Sequence, residues 1–180
     1  MRRLRGKPRR TGIIPYTVID STIYCLLGVD RQSDDYSDFG GGRKKNESFA
    51  MGAVRECSEE TESVITLTPE IIEDFTAIWC DRIGIIFVPI VLTKTEMESL
   101  SMSINQKLIH NEKSEMLKVE WITWNQLITL VLDDDTRTHK LYTSIRELLY
   151  IDFCKPFKLH QTLINKYNLR PLMPSECVRS

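Results

Sequence analysis

The order of apolar patterns along the chain predicts an α/β fold, a mixed sheet held between helices. Three observations carry this reading. Residues 12–19 and 22–29 are rich in β-branched and aromatic side chains, as strands are. Ala50, Val54 and Cys57 recur at spacings of four and three, which marks a helical stripe. Further strand-like runs at 75–80, 83–92 and 119–123 are interleaved with helical segments, without the regular alternation of a parallel βαβ series.

The elements follow in order. Residues 1–10 hold Arg2, Arg3, Arg5, Lys7, Arg9 and Arg10 with no acid among them, and read as a flexible basic arm. After the first two strands, the polar stretch 30–38 reads as a loop and Phe39-Gly40-Gly41-Gly42 as a glycine-rich turn. A helix is predicted over 47–62, then two strands with a hairpin around Asp81-Arg82. Residues 93–109 read as a helix or a long excursion, and 124–132, 139–150 and 159–167 as helices. A tail with Pro171 and Pro174 closes the chain. The predicted organisation is an arm at 1–10, one domain at 11–150, and a C-terminal helix and tail at 151–180 packed on that domain.

A chain of 180 residues with 42% hydrophobic content buries a full core without disulfide staples. The five cysteines, Cys25, Cys57, Cys80, Cys154 and Cys177, are odd in number and form no CxxC pair. This argues against a disulfide framework or a zinc site and for free thiols in a reducing compartment. Cys25, Cys57 and Cys80 are expected to be buried. The longest apolar run is too short to span a bilayer and is interrupted by Gly84 and Pro89. A cytoplasmic, membrane-free protein is therefore expected. A net charge of −1 does not mark the whole molecule as a nucleic-acid binder.

The chemistry concentrates in residues 41–60. Glu56, Glu59 and Glu60 stand at i, i+3 and i+4, so a helix gathers their carboxylates on one face. Three adjacent anions repel one another. The arrangement makes sense if a divalent cation sits among them, and hard oxygen ligands suit Mg²⁺. Arg55 is placed to hold a neighbouring carboxylate. Gly40, Gly41 and Gly42 let backbone approach a metal or phosphate, and Arg43, Lys44 and Lys45 put positive charge where phosphate oxygens would lie. Taken singly, each is an ordinary surface feature: an acidic helix face, a glycine loop, a solvated basic run.

Their joint spacing is specific. Gly41, five residues, Glu47, seven residues, Arg55-Glu56, two residues, then Glu59-Glu60 resembles the signature of the Nudix hydrolases, Gly-x5-Glu-x7-Arg-Glu-U-x-Glu-Glu-x-Gly-U, where U is bulky and apolar. Cys57 replaces the first apolar residue, Glu62 the second glycine and Ser63 the last apolar residue. Asn46 stands where many members have glycine. The missing glycine leaves the helix end open, since that residue normally takes a left-handed conformation.

The resemblance implies an α/β/α sandwich and a pyrophosphohydrolase using Mg²⁺ or Mn²⁺. Glu59 and Glu60 would bind the metal with the carbonyl near Gly41. Glu56 would bind metal or help to activate water, Arg55 would orient the carboxylates, and Glu47 would brace the loop. Many members use one more acid before a tryptophan-bearing strand, here Glu115, six residues before Trp121, with Glu112 as the second choice. His110, His139 and His160 show no ligand spacing. The substrate implied is a nucleoside diphosphate linked to another group. Three classes stay open: the cap of mRNA, diphosphoinositol polyphosphates, and small nucleotides or dinucleoside polyphosphates. The loop is loosely similar to that of decapping members, viral ones included. The basic arm, Arg43 to Lys45, and Tyr16, Tyr36, Trp79 and Trp124 would suit capped RNA. A non-catalytic nucleotide- or protein-binding module is the alternative of another class.

Overall fold

The computed structural model describes residues 8–132, 140–153 and 158–178. Arg2, Arg3, Arg5, Lys7, His139 and Cys154 lie outside them. Strand β1 (Arg10–Ile19) and β2 (Thr22–Asp30) form an antiparallel hairpin, with Tyr16 opposite Cys25. Asp20 and Ser21 turn the hairpin at φ 48° and 62°, the left-handed pair that matches strand twist. β6 (Ile83–Pro89) lies parallel to β1, and β5 (Thr76–Trp79) pairs antiparallel with β6 across the turn at Asp81-Arg82. β7 (Met116–Thr123) pairs with β2. The main path across this mixed sheet starts from β3 (Tyr36–Ser37) and runs β3-β2-β1-β6-β5.

Two expectations are corrected here. The loop at 30–38 contains a short strand, β3 (Tyr36–Ser37), paired with the end of β2. The predicted glycine turn is strand β4 (Phe39–Gly42), which runs antiparallel to the start of β1, Gly12 opposite Gly40. Glycine weakens an isolated strand, but here two backbones must meet closely: a Cβ on Gly40 would come 2.5 Å from Gly12 Cα. Two residues assigned to the arm are placed against the sheet. Arg10 belongs to β1, and the amides of both Arg9 and Arg10 donate to Arg82 O.

Helix α1 (Phe49–Glu60) starts later than predicted because Ser48 caps it, its side chain accepting from Met51 N. α3 (Lys94–Ile109) is a helix outright, opened by a Thr93–Glu96 capping box. α2 (Pro69–Ile72) lies between α1 and β5. α4 (Trp124–Leu132), α5 (Thr143–Phe153) and α6 (Lys158–Leu169) follow β7. The last element is α7 (Pro174–Cys177).

Strand alternation sorts the core into two layers. Ile13, Leu26, Ile86 and Val88 face α1 and α3, packing with Ala53, Cys57, Leu100 and Ile104. Ile14, Leu27, Ile85 and Phe87 face the other side, with Leu127, Ile145, Leu149 and Leu163 of α4 to α6. Both sheet faces are covered, which is why the central strands read as unbroken apolar runs. The tail closes on the first layer: Leu172 bridges to Ile90 and Val178 to Ile65. Cys25, Cys57 and Cys177 are buried free thiols, while Cys80 is only partly covered. Among the described residues no helix is long and apolar enough to cross a membrane.

Candidate active site

The site forms where α1 leans against β4. Helical spacing does bring Glu56, Glu59 and Glu60 together, but into three environments. Glu59 is exposed, Glu56 half-buried, and Glu60 is turned into the interior, with 7% of its surface accessible. Glu59 and Glu60 also end the helix, at the negative pole of its dipole, and the last turn holds no basic residue. Two carboxylates at that pole raise the local cost of charge further.

Arg55 organises the outer part. Its Nε and Nη2 donate to Glu47 Oε1 and Oε2 at 2.8 and 3.1 Å. Its Nη1 meets Glu56 Oε1 at 2.7 Å and Glu59 Oε2 at 2.9 Å, and Nη2 also reaches Gly42 O at 2.9 Å. One guanidinium thus joins three carboxylates and the end of β4, using its fixed fork of donors. Glu47 further accepts from Lys44 N at 2.7 Å. The Arg55 hydrogen bonds, helped by that amide, pull the Glu47 carboxyl down to about 2. Gly41 sits against the Glu56 carboxylate, and a Cβ there would approach Glu56 Cδ to 2.6 Å. Only glycine lets β4 lie this close.

The inner part was not foreseen from the sequence. Asp38, fully buried, pairs with Arg10 at 2.6 Å, and Arg10 Nη2 donates to Gly40 O at 2.7 Å. Arg10 lies 5.6 Å from the Tyr142 ring centroid. Burial works against its cation, and the attraction of Asp38 more than offsets that, so the net shift is upward. Among the described residues, Arg10 Nη1, Asp38 Oδ2 and Glu60 Oε2 are buried with no hydrogen-bond partner. Burial pushes the Glu60 carboxyl well above the usual range, and the Asp38 charge adds to this. Burial also raises Glu56, with the charges of Glu59 and Glu115 adding to the effect while Arg55 opposes it.

A cavity of about 220 Å³ opens beside α1, lined by Glu56, Glu59, Glu60, Glu62 and Glu115 together with Asn111, Lys113 and Ser114. Glu115 lines it and Glu112 does not. Among the described residues, no three acidic, cysteine or histidine side chains converge on one point as a ready metal cage. The donor chemistry nonetheless fits a hard cation. The acidic groups of the cavity, Glu56, Glu59, Glu60, Glu62 and Glu115, are hard oxygen donors, and Glu60 Oε2 has no hydrogen-bond partner among the described residues.

The basic run divides. Arg43 is committed to structure, its Nε donating to Pro8 O at 2.7 Å and its Nη1 to Glu47 O at 2.9 Å. Lys44 and Lys45 are exposed beside a second, open cavity, and Lys44 Nζ lies 3.9 Å from Glu59 Oε1. Asn46 takes φ 74°, the positive value its place in the motif calls for. Of the aromatics considered for base stacking, Tyr16, Tyr36 and Trp124 are buried and only Trp79 is exposed. Tyr16 and Tyr36 instead hydrogen-bond to Leu163 O and Glu120, and Trp124 lies against His160. Trp121 donates from Nε1 to Met97 O at 2.9 Å, a packing role. His110 ends α3 as its C-cap.

No protein-family model matches the chain, and no curated protein matches it by sequence. Solved structures do match. A Nudix hydrolase from M. smegmatis, RenU, is 13% identical, with 91% of this chain and 94% of that one aligned at a TM-score of 0.50. A NUDIX hydrolase from Listeria monocytogenes gives 13% identity, 97% and 100% coverage and a TM-score of 0.48. A C. elegans Ap4A hydrolase gives 16%, 82% and 99%, and 0.48. The mixed seven-stranded sheet between helices is the Nudix fold.

Proposed function

We propose that the protein is a metal-dependent hydrolase of the Nudix superfamily that cleaves a pyrophosphate bond in a nucleoside diphosphate-linked substrate. The observation that carries this reading is Glu60, whose buried Oε2 has no hydrogen-bond partner among the described residues, beside a cleft of further carboxylates of which Arg55 holds Glu56 and Glu59 in place. A cleft so acidic repels a phosphate ester unless cations bridge the two. Mg²⁺ or Mn²⁺ would be held by Glu56, Glu59 and Glu60 with the Gly41 carbonyl. When bound it neutralises phosphate oxygens and makes water a better nucleophile.

The chain's own residues supply the rest. Arg55 fixes the carboxylates of Glu56 and Glu59 and so preorganises the site. Glu47 holds Arg55 from behind. The upward-shifted Glu56 and the nearby Glu115 are the candidates to accept a proton from the attacking water. Lys44, 3.9 Å from Glu59, and Lys45, beside the second cavity, would meet the outer phosphates.

Among substrates, the capped-RNA reading rests on the basic residues 2–7, on Lys44 and Lys45, and on Trp79. It loses the support of the three buried aromatics and of Arg10. Small nucleotides and dinucleoside polyphosphates need only the cleft and the lysines. The test is product analysis with Mg²⁺ and with Mn²⁺ across capped RNA, a short cap analogue, dinucleoside polyphosphates and inositol pyrophosphates. Metal-dependent cleavage of at least one of these is expected. Nucleotide binding without turnover on any of them would make the protein a non-catalytic module. Deleting residues 1–7 should flatten the salt dependence of capped-RNA binding and spare the cap analogue if RNA is the substrate. Glu115→Gln should lower kcat more than Glu112→Gln, and the reverse ranking would move the outer acid to Glu112.

A further inference from the structure

Helix α1 ends in a Schellman motif: Ser63 N donates to Ser58 O at 2.7 Å and Glu62 N to Glu59 O at 3.3 Å. The left-handed residue of this motif is Glu62, at φ 51°, and Ser63 follows at φ 58°. Glycine would take that conformation without steric cost. The strain therefore calls for something a glycine could not do. The Glu62 side chain lines the carboxylate cleft and accepts from Asn111 Nδ2 at 2.8 Å. Lys107 Nζ reaches the Glu62 carbonyl at 3.3 Å. Asn111 opens the loop that leads to Glu115, and its Oδ1 accepts from Lys113 N at 3.1 Å. The same loop is held from the sheet side by Arg31, which donates to Ser114 O and Met116 O at 3.0 Å each and whose amide donates to Glu115 O at 2.8 Å. The loop is thus gripped from two sides, by β2 through Arg31 and by the carboxylate helix through Glu62.

We propose that Glu62 is a positioning residue, which through Asn111 ties the end of the carboxylate helix to the Glu115 loop and so sets the separation of Glu115 from Glu56. This rests on the hydrolase reading above. The tether joins residues 49 positions apart and spans the cleft in which the attacking water would lie. Without it, the hydrogen bonds from Arg31 and those within the loop remain to hold the outer acid.

The experiment compares Glu62→Gly, Glu62→Gln and Asn111→Asp with the wild type, by kcat and KM on the best substrate and by hydrogen exchange of the amides of residues 112–116. Glycine suits the backbone at φ 51°, so Glu62→Gly removes the tether without straining the helix end. Asn111→Asp keeps the acceptor for Lys113 N but replaces the donor with a like charge. Glutamine keeps the acceptor. Glu62→Gly and Asn111→Asp should each lower kcat about tenfold, the scale for residues that orient a ligand from behind. KM should be nearly unchanged and exchange in 112–116 faster, while Glu62→Gln stays near wild type in both. Unchanged kcat in Glu62→Gly would overturn the positioning role, and unchanged exchange would overturn the tether itself. Exchange needs no turnover. If the wild type cleaves nothing in the panel, the hydrolase reading fails, while faster exchange in Glu62→Gly would still establish the tether.

Discussion

Two arginines serve the carboxylates, Arg55 on the helix itself and Arg10 on β1, and they work in opposite ways. Arg55 lies at the rim with its donors distributed over Glu47, Glu56, Glu59 and Gly42 O, so its charge is matched several times over. Arg10 lies inside, bound to Asp38, with one of its own nitrogens and one oxygen each of Asp38 and Glu60 left without partners among the described residues. The outer network is a clamp that is complete as it stands. The inner one leaves buried polar atoms on Arg10, Asp38 and Glu60 without hydrogen-bond partners among the described residues. The proposed metal site draws on both: the unpartnered Glu60 inside would take the cation, and Arg55 would orient the outer carboxylates.

The largest expected effect comes from breaking the inner pair. Arg10→Met leaves Asp38 buried without its partner and should cost about 3–5 kcal/mol of stability. Arg10→Met combined with Asp38→Asn, which removes both charges, should recover most of it. Chemical denaturation of the three proteins checks this. A double variant no more stable than Arg10→Met would mean that the arginine acts through packing.

The second effect separates activity from stability at the metal site. Glu59→Gln and Glu60→Gln should each reduce turnover by about 10²–10³, the scale for losing one preorganised electrostatic partner. In metal-free protein Glu60→Gln should be at least as stable as wild type at neutral pH. Its carboxyl is shifted upward in the fold, so the folded state binds more protons than the unfolded one above the ordinary carboxylate range. Stability then falls as pH rises through that window, and glutamine abolishes this loss. Thermal unfolding against pH in the presence of chelator reads it. Near-wild-type turnover in both variants would remove the proposed metal site.

The smallest effect lies in the outer clamp. Glu47 is shifted down to about 2, so its contribution is fully present above the ordinary carboxylate pKa and is lost as pH falls through about 2. Glu47→Gln should lower stability by about 1–2 kcal/mol at neutral pH, since it weakens a charged hydrogen-bonded pair. The difference from wild type should vanish in strong acid. A constant difference across the pH range would show that Glu47 contributes by shape alone.

What the chain determined by itself is what local geometry controls. Glu56, Glu59 and Glu60 meet because a helix repeats every 3.6 residues, and Asn46 turns because its short polar side chain tolerates positive φ. The first two strands and the hairpin around Asp81-Arg82 were legible for the same reason, since strand-forming runs flank only a few residues of turn. Tertiary structure decided the rest. Arg10 meets Asp38 across 28 positions because β4 registers against β1, and the glycines of β4 disguised that strand as a turn. Glu62 meets Asn111 only once α3 and β7 have packed beside α1. Which of three neighbouring carboxylates is exposed, half-buried or interior likewise depends on where the sheet lies against the helix. Periodicity places side chains on a face, but burial and pairing depend on what the distant chain brings to that face.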